Sequence, residues 1–159
     1  MFLISPCCLS AQQSDYYDSL KVELKKDLTD SARYVNLLKL SDGYTNNNPD
    51  SAIFYAQESI RFALKNKEKL PVWVDWNCSD VLGKALCSAG NFPDAQEYFF
   101  KQIKQSEVIN DTLGILRSYI NLGALNIEEG NYKEATQYLR TALPLYRGQG
   151  GVMSYFFTD

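Results

Sequence analysis

The chain has 159 residues, a formal net charge of −3, four cysteines and no histidine; 45% of it is hydrophobic and 22% is charged. That balance supports a folded core and excludes a disordered tail, and the length allows one ordinary domain. Without histidine there is no Ser-His-Asp or Cys-His nucleophile system and no two-His metal site, and a pI near 5.0 argues against a nucleic-acid surface, which needs clustered positive charge.

Residues 1–11 are Met1-Phe-Leu-Ile-Ser-Pro-Cys-Cys-Leu-Ser-Ala11, an apolar stretch ending in small residues, and polar Gln12-Gln-Ser-Asp15 follows. The pattern is that of the end of a secretory signal, with a small-x-small site such as Cys8-Leu9-Ser10, although a basic start is missing. It predicts an extracytoplasmic (periplasmic) location; a frayed N-terminus on a cytoplasmic chain is the alternative. Pro6 and Cys7 are poor residues before a lipid-modified cysteine. No apolar run reaches 18 residues, so no membrane span is expected within this chain.

Residues 12–159 read as helical throughout. A capping helix is predicted over 14–28, where Tyr17, Leu20, Leu24 and Leu28 recur at three- and four-residue spacing. Next come a helix over 31–44 with Tyr34, Leu37, Leu38 and Leu40, the turn Thr45-Asn-Asn-Asn-Pro49, and a helix over 49–66 with Ala52, Tyr55, Ala56 and Ile60. Two further helices are expected over 73–89 and 93–108; Pro93 falls in a first turn, where a missing N–H costs nothing. The helix over 112–129 gathers Leu116, Tyr119, Leu122, Gly123 and Ile127 on one apolar face and ends at Gly130-Asn131. The helix over 132–146 turns Ala135, Tyr138, Leu139 and Ala142 back onto it, and Pro144 predicts a kink. Tyr98, Phe99 and Tyr138 are expected in the core, and Tyr16, Tyr17, Tyr155 and Phe156 outside it. Cys78 and Cys87, nine residues apart on one helix, project from opposite faces about 13 Å apart along the axis. A disulfide spans at most about 7 Å between Cα atoms, so both read as small hydrophobes.

A shift of 40 residues superimposes the chain on itself: Leu82 meets Leu122, Gly83 meets Gly123, Gly90 meets Gly130, Asn91 meets Asn131, Ala95 meets Ala135 and Tyr98 meets Tyr138. The units span about 31–66, 73–108 and 112–147. Residues 148–159 align with 108–119, the start of a truncated fourth repeat in which Met153, Tyr155, Phe156 and Phe157 lack a partner helix. A repeat array normally ends in a polar cap, so a segment of a longer protein is expected. Self-association through Tyr155, Phe156 and Phe157 is the rival expectation.

Asn121-Leu-Gly123, Gly130-Asn-Tyr-Lys-Glu-Ala135 and Tyr138 resemble the tetratricopeptide repeat signature, and Leu82-Gly83, Gly90-Asn-Phe-Pro-Asp-Ala95 and Tyr98 resemble it again. The resemblance covers about residues 31–147 and implies an all-α, right-handed solenoid of antiparallel helix pairs. The step of 40 residues departs from the usual 34 of the family; the extra residues fall around 106–111 and imply longer helices or loops. The arrangement as a whole is similar to the extracytoplasmic repeat region of bacterial membrane-bound signalling proteins.

In such arrays the first helices line a concave groove. The family's groove positions fall on Asn36 and Lys39 in the first unit, Asn77, Asp80 and Lys84 in the second, and Arg117, Asn121 and Glu128 in the third. The resemblance implies hydrogen bonds to a partner's backbone or termini, with Lys84 and Arg117 meeting carboxylates. The subtype that clamps a terminal carboxylate is not expected, because Asp80 and Ala124 stand where Lys and Asn belong. Glu128 and Glu129 project about 100° apart and form no catalytic dyad. Gly148-Gln-Gly-Gly151 lacks the strand and lysine of a phosphate loop. The expected function is that of a non-enzymatic protein- or peptide-binding scaffold, the sensor or interaction segment of a larger signalling protein, without cofactor or metal. A structural assembly module that oligomerises through its last helix is the alternative.

Overall fold

A computed structural model describes residues 16–70 and 74–148, and of 74–78 the backbone alone. The signal-like stretch 1–11 and the tail with Met153, Tyr155, Phe156 and Phe157 lie outside the described residues. Among the described residues there are seven helices and no strand: α1 over 16–23, α2 Asp30–Tyr44, α3 Pro49–Lys65, α4 Val74–Ser88, α5 Phe92–Val108, α6 Thr112–Glu128 and α7 Tyr132–Gly148. The fold is an all-α helical repeat.

Local chemistry fixes the helix ends. Thr29 caps α2 by accepting the Ala32 amide at 3.2 Å, and Asn48 caps α3 by accepting that of Ser51 at 3.1 Å, with Pro49 at the first helical position. At the end of α4, Gly90 takes φ 77°, its amide returns to the Cys87 carbonyl at 2.9 Å, and the Asn91 amide reaches Leu86 at 2.9 Å. This Schellman turn reverses the chain in three residues. Gly130 repeats it after α6 with φ 79°, and Asn110 does so after α5 with φ 55°. The extra residues of the 40-residue step are therefore helix: α5 and α6 have 17 residues each, and three residues join them.

The helices pair in sequence, α2 with α3, α4 with α5 and α6 with α7, while α3 also packs on α4 and α5 on α6. Among the first helices of the pairs, α4 touches both α2 and α6; α3, α5 and α7 do not approach one another. An inner layer in contact and an outer layer splayed apart make the surface over α2, α4 and α6 the concave one. The core is a row of clusters. Tyr34, Ala63 and Leu70 fill the first pair, Ala56, Val81 and Leu82 seal α3 to α4, and Ala95, Phe99, Ile103, Leu122 and Leu125 seal α5 to α6. Within the second pair a β-carbon on Gly83 would stand 2.5 Å from the Phe99 ring; within the third, one on Gly123 would stand 2.7 Å from Leu139. Hydrogen at these positions lets each ring or branched side chain lie against the facing backbone. The first pair has a hydrogen bond at its crossing instead, from the buried Ser41 hydroxyl to the Ala52 carbonyl at 2.8 Å.

Three expectations change. The capping helix stops at residue 23, not 28. Thr29 must be extended to cap α2, and the Arg33 guanidinium takes the Leu24 and Lys26 carbonyls at 2.9 and 3.1 Å, so no further turn can form. α7 runs through Pro144 to Gly148; the proline sits on an exposed side, where water can serve the Arg140 carbonyl deprived of its amide partner. Tyr98 and Tyr138 pack against the core but are only half-buried; Phe99 alone of the three is fully inside. Tyr17, expected outside the core, lies with its ring against Gly43 and against Tyr44 of α2, the two tyrosine centroids 5.5 Å apart.

Candidate functional site

The concave face carries a line of polar contacts across three helices. Lys84 on α4 stands 3.5 Å from Asp42 on α2 and 3.1 Å from Asp80 one turn back on α4. Asp80 is buried and accepts the Asn121 amide group of α6 at 2.6 Å. One turn further along, the Cys87 thiol of α4 donates to Glu128 of α6 at 3.5 Å. Each inter-helix link joins residues 41 or 42 positions apart, one repeat plus one or two residues. Beside the line lies a shallow pocket of about 200 Å³, lined by Thr45, Lys84, Cys87, Ser88, Asn121 and Glu128, with Phe99 and Ala124 among its walls.

The charges in this line set one another. Burial pulls the Lys84 ammonium down, but the carboxylates of Asp80 and Asp42 outweigh it together and hold the group above its ordinary value. The Cys87 thiol is pushed from 9.0 up to about 12, first by burial and then by the Glu128 carboxylate that its proton faces. It is therefore a protonated donor at neutral pH and a poor nucleophile.

Seven of the eight expected groove residues separate into three groups. Asp80, Lys84, Asn121 and Glu128 come together as described. Asn36 does not belong to the open surface: it is buried and donates to Glu23 of α1 at 3.2 Å. Lys39 and Arg117 are exposed on α2 and α6, Arg117 reaching back to the Leu113 carbonyl at 3.4 Å. The side chain of Asn77 lies outside the described residues. Sequence reasoning missed Asp42, Thr45 and Ser88; Cys87 packs against the core as expected and also faces Glu128. The separation of about one repeat between Asp42 and Lys84 is the signal that marks them.

Lys84 is thus already neutralised from within the chain. Asp42, Asp80, Lys84 and Glu128 sum to −2, and the free hydrogen-bonding capacity here is mainly that of acceptors: the Glu128 and Asp42 carboxylates and the Asn121 carbonyl. The arrangement suits recognition of N–H donors and cationic groups. Among the described residues, no three His, Cys, Asp or Glu side chains cluster as metal ligands would, and no helix is long and apolar enough to cross a membrane.

No curated protein and no solved structure matches the chain. A family model for the tetratricopeptide repeat matches residues 77–148, somewhat under half of the chain. Repeats of this kind generally mediate protein–protein interaction. The stacked helix pairs and the Schellman turns at Gly90 and Gly130 in that stretch fit a repeat of this kind.

Proposed function

We propose that the chain is a non-enzymatic scaffold that binds a protein or peptide across the concave face of α2, α4 and α6. The observation that carries this reading is the polar line Asp42–Lys84–Asp80–Asn121 with its adjoining pocket. Lys39, Arg117, Asn121 and Glu128 are the contacts offered to the partner, while Asp80 and Lys84 hold the surface in shape. Around the pocket the acceptors of Asp42, Asn121 and Glu128 favour backbone N–H groups and basic side chains, while the exposed Lys39 and Arg117 are left to meet a partner's acceptors. The test is capture of partners by the full chain and by variants. Asp42→Ala with Glu128→Ala should weaken capture at least about tenfold, and Lys101→Ala on the outer helix α5 should leave it unchanged; the reverse pattern rejects the groove.

We further propose that this scaffold is the sensor or interaction segment of a larger bacterial signalling protein, acting outside the cytoplasm. The signal-like residues 1–11 and the arrangement of the repeats support it. Fusion of the N-terminal residues to a reporter active only after export tests the location; a reporter retained in the cytoplasm refutes it. A second reading is a structural assembly module joined through Tyr155, Phe156 and Phe157. It draws on the exposed Leu139, Leu143 and Tyr146 of α7 and requires a concentration-dependent oligomer.

A further inference from the structure

The outer side of the array holds a second recess, between α3 and α5. Its volume is about 180 Å³; Ile60 and Leu64 of α3 and Tyr98 of α5 form its walls, the buried Ser79 of α4 its floor, and Lys101 and Gln105 of α5 its rim. The recess follows from the small side chain of Ser79. In the 40-residue register Ser79, Lys101 and Gln105 correspond to Tyr119, Thr141 and Leu145. The Tyr119 ring lies on that of Tyr138, centroids 6.4 Å apart, and Phe100 of α5 meets Tyr138 edge-on at 6.3 Å. Aromatic rings thus fill the equivalent place between α5 and α7, where threonine replaces the lysine. The recess belongs to one groove of the array and is not a general product of stacking.

The polar groups of this recess are set as donors. The Ser79 hydroxyl donates to Gln105 Oε1 at 3.4 Å, leaving the Gln105 N–H groups as donors at the rim. The Lys101 ammonium stands 5.8 Å from the centre of the Tyr98 ring. Among the described residues it makes no ion pair, unlike Lys84 of the concave face with its two carboxylates. None of the described lining residues is acidic. Beyond Leu64, which is 64% exposed, the surface continues over Lys65, Lys67 and Lys69, with Glu68 among them. With Lys101 these charges sum to +3, or to +2 when Asp30, 3.7 Å from Lys69, is included, in a chain whose net charge is −3. We propose that this outer recess is a second docking site, for an acidic protein segment that seats a leucine-sized side chain between Ile60, Leu64 and Tyr98 and rests a carboxylate on Lys101 and Gln105. Removal of the apolar side chain from water supplies affinity, and the lysines select the sign of charge. That sign is opposite to the one the concave face favours, so the two faces take different segments.

The test uses the full chain and the fluorescence anisotropy of a labelled peptide of alanine and glutamate with one central leucine, beside a twin that has serine for the leucine. The leucine peptide should bind, and the serine twin should bind at least about tenfold more weakly. Lys101→Glu should weaken the leucine peptide by at least about tenfold, and so should Ser79→Tyr, which copies the filled place of the third pair. Circular dichroism checks that both variants keep their helices. Lys101 is exposed, so Lys101→Glu decides alone if Ser79→Tyr does not fold. The chain with Asp42→Ala and Glu128→Ala should bind the peptide no more weakly than the native chain, so the outer site and the concave one fail separately. Absence of binding by the native chain overturns the proposal, as does equal affinity for the serine twin. So does unchanged affinity in Lys101→Glu, or a loss in the Asp42→Ala, Glu128→Ala chain, which places the peptide on the concave face.

Discussion

The second and third helix pairs are built from the same positions, yet one is sealed and the other ends in an open face. Gly83 and Gly123 occupy corresponding positions, each lying against a large side chain of its partner helix. Phe99 is locked between α4, α5 and α6, whereas Leu139 has solvent on one side. The comparison teaches that burial in a repeat array belongs to the place in the stack as much as to the residue. The same substitution should therefore cost different amounts in the two pairs.

The largest contrast is expected at the side chains themselves. Phe99→Ala should lose about 3–5 kcal/mol of stability, while Leu139→Ala should lose about 1 kcal/mol, because only part of its surface is buried. Denaturant midpoints with unchanged slopes measure both; equal losses break the comparison. Smaller is the contrast at the glycines. Gly83→Ala presses a methyl group into a ring that cannot move, at about 1–3 kcal/mol, offset by about 1 kcal/mol of helix propensity. At Gly123 the Leu139 side chain can swing outward, so Gly123→Ala should be neutral or slightly stabilising.

A third contrast is polar. Asp80→Ala leaves Lys84 with Asp42 alone and Asn121 without its acceptor, and should cost about 1–3 kcal/mol. At the corresponding position of the third pair, Ile120→Ala should cost less than about 1 kcal/mol; a thermal melt of each variant decides it. The smallest effect concerns Cys87. Its folded-state pKa is raised, so the protonated thiol is the form the fold favours. The associated stability is present below the ordinary thiol value and is lost as pH rises from 9.0 to about 12. Cys87→Ser should flatten that decline. At pH 8, Glu128→Gln should speed alkylation of Cys87, read by peptide mass, by roughly threefold to tenfold; an unchanged rate removes Glu128 as a cause.

Much of the fold is legible in the residue pattern. Gly90-Asn91 and Gly130-Asn131 mark turns because only a left-handed residue closes a Schellman turn without strain, and that requirement is local. The three- and four-residue spacing around Leu116 and Leu122 marks a buried helical face for an equally local reason. The groove is less legible. Asn121 and Asp80 belong to α6 and α4, but the hydrogen bond between them depends on how far α6 is displaced along α4, which no single helix encodes. Asn36 is misassigned because α1 covers it, and the end of α1 depends on Arg33, seven and nine residues beyond the carbonyls it takes.

The sequence by itself determines the helices, their caps and the 40-residue period, because each follows from backbone geometry and side-chain spacing over a few turns. Only the tertiary structure decides that Lys84 is neutralised by Asp42 and Asp80, and that Leu139 is open where Phe99 is sealed. Both depend on which helix comes to lie beside which. Charge pairing and burial are properties of that neighbour, and the same local pattern acquires them in one repeat and not in the next.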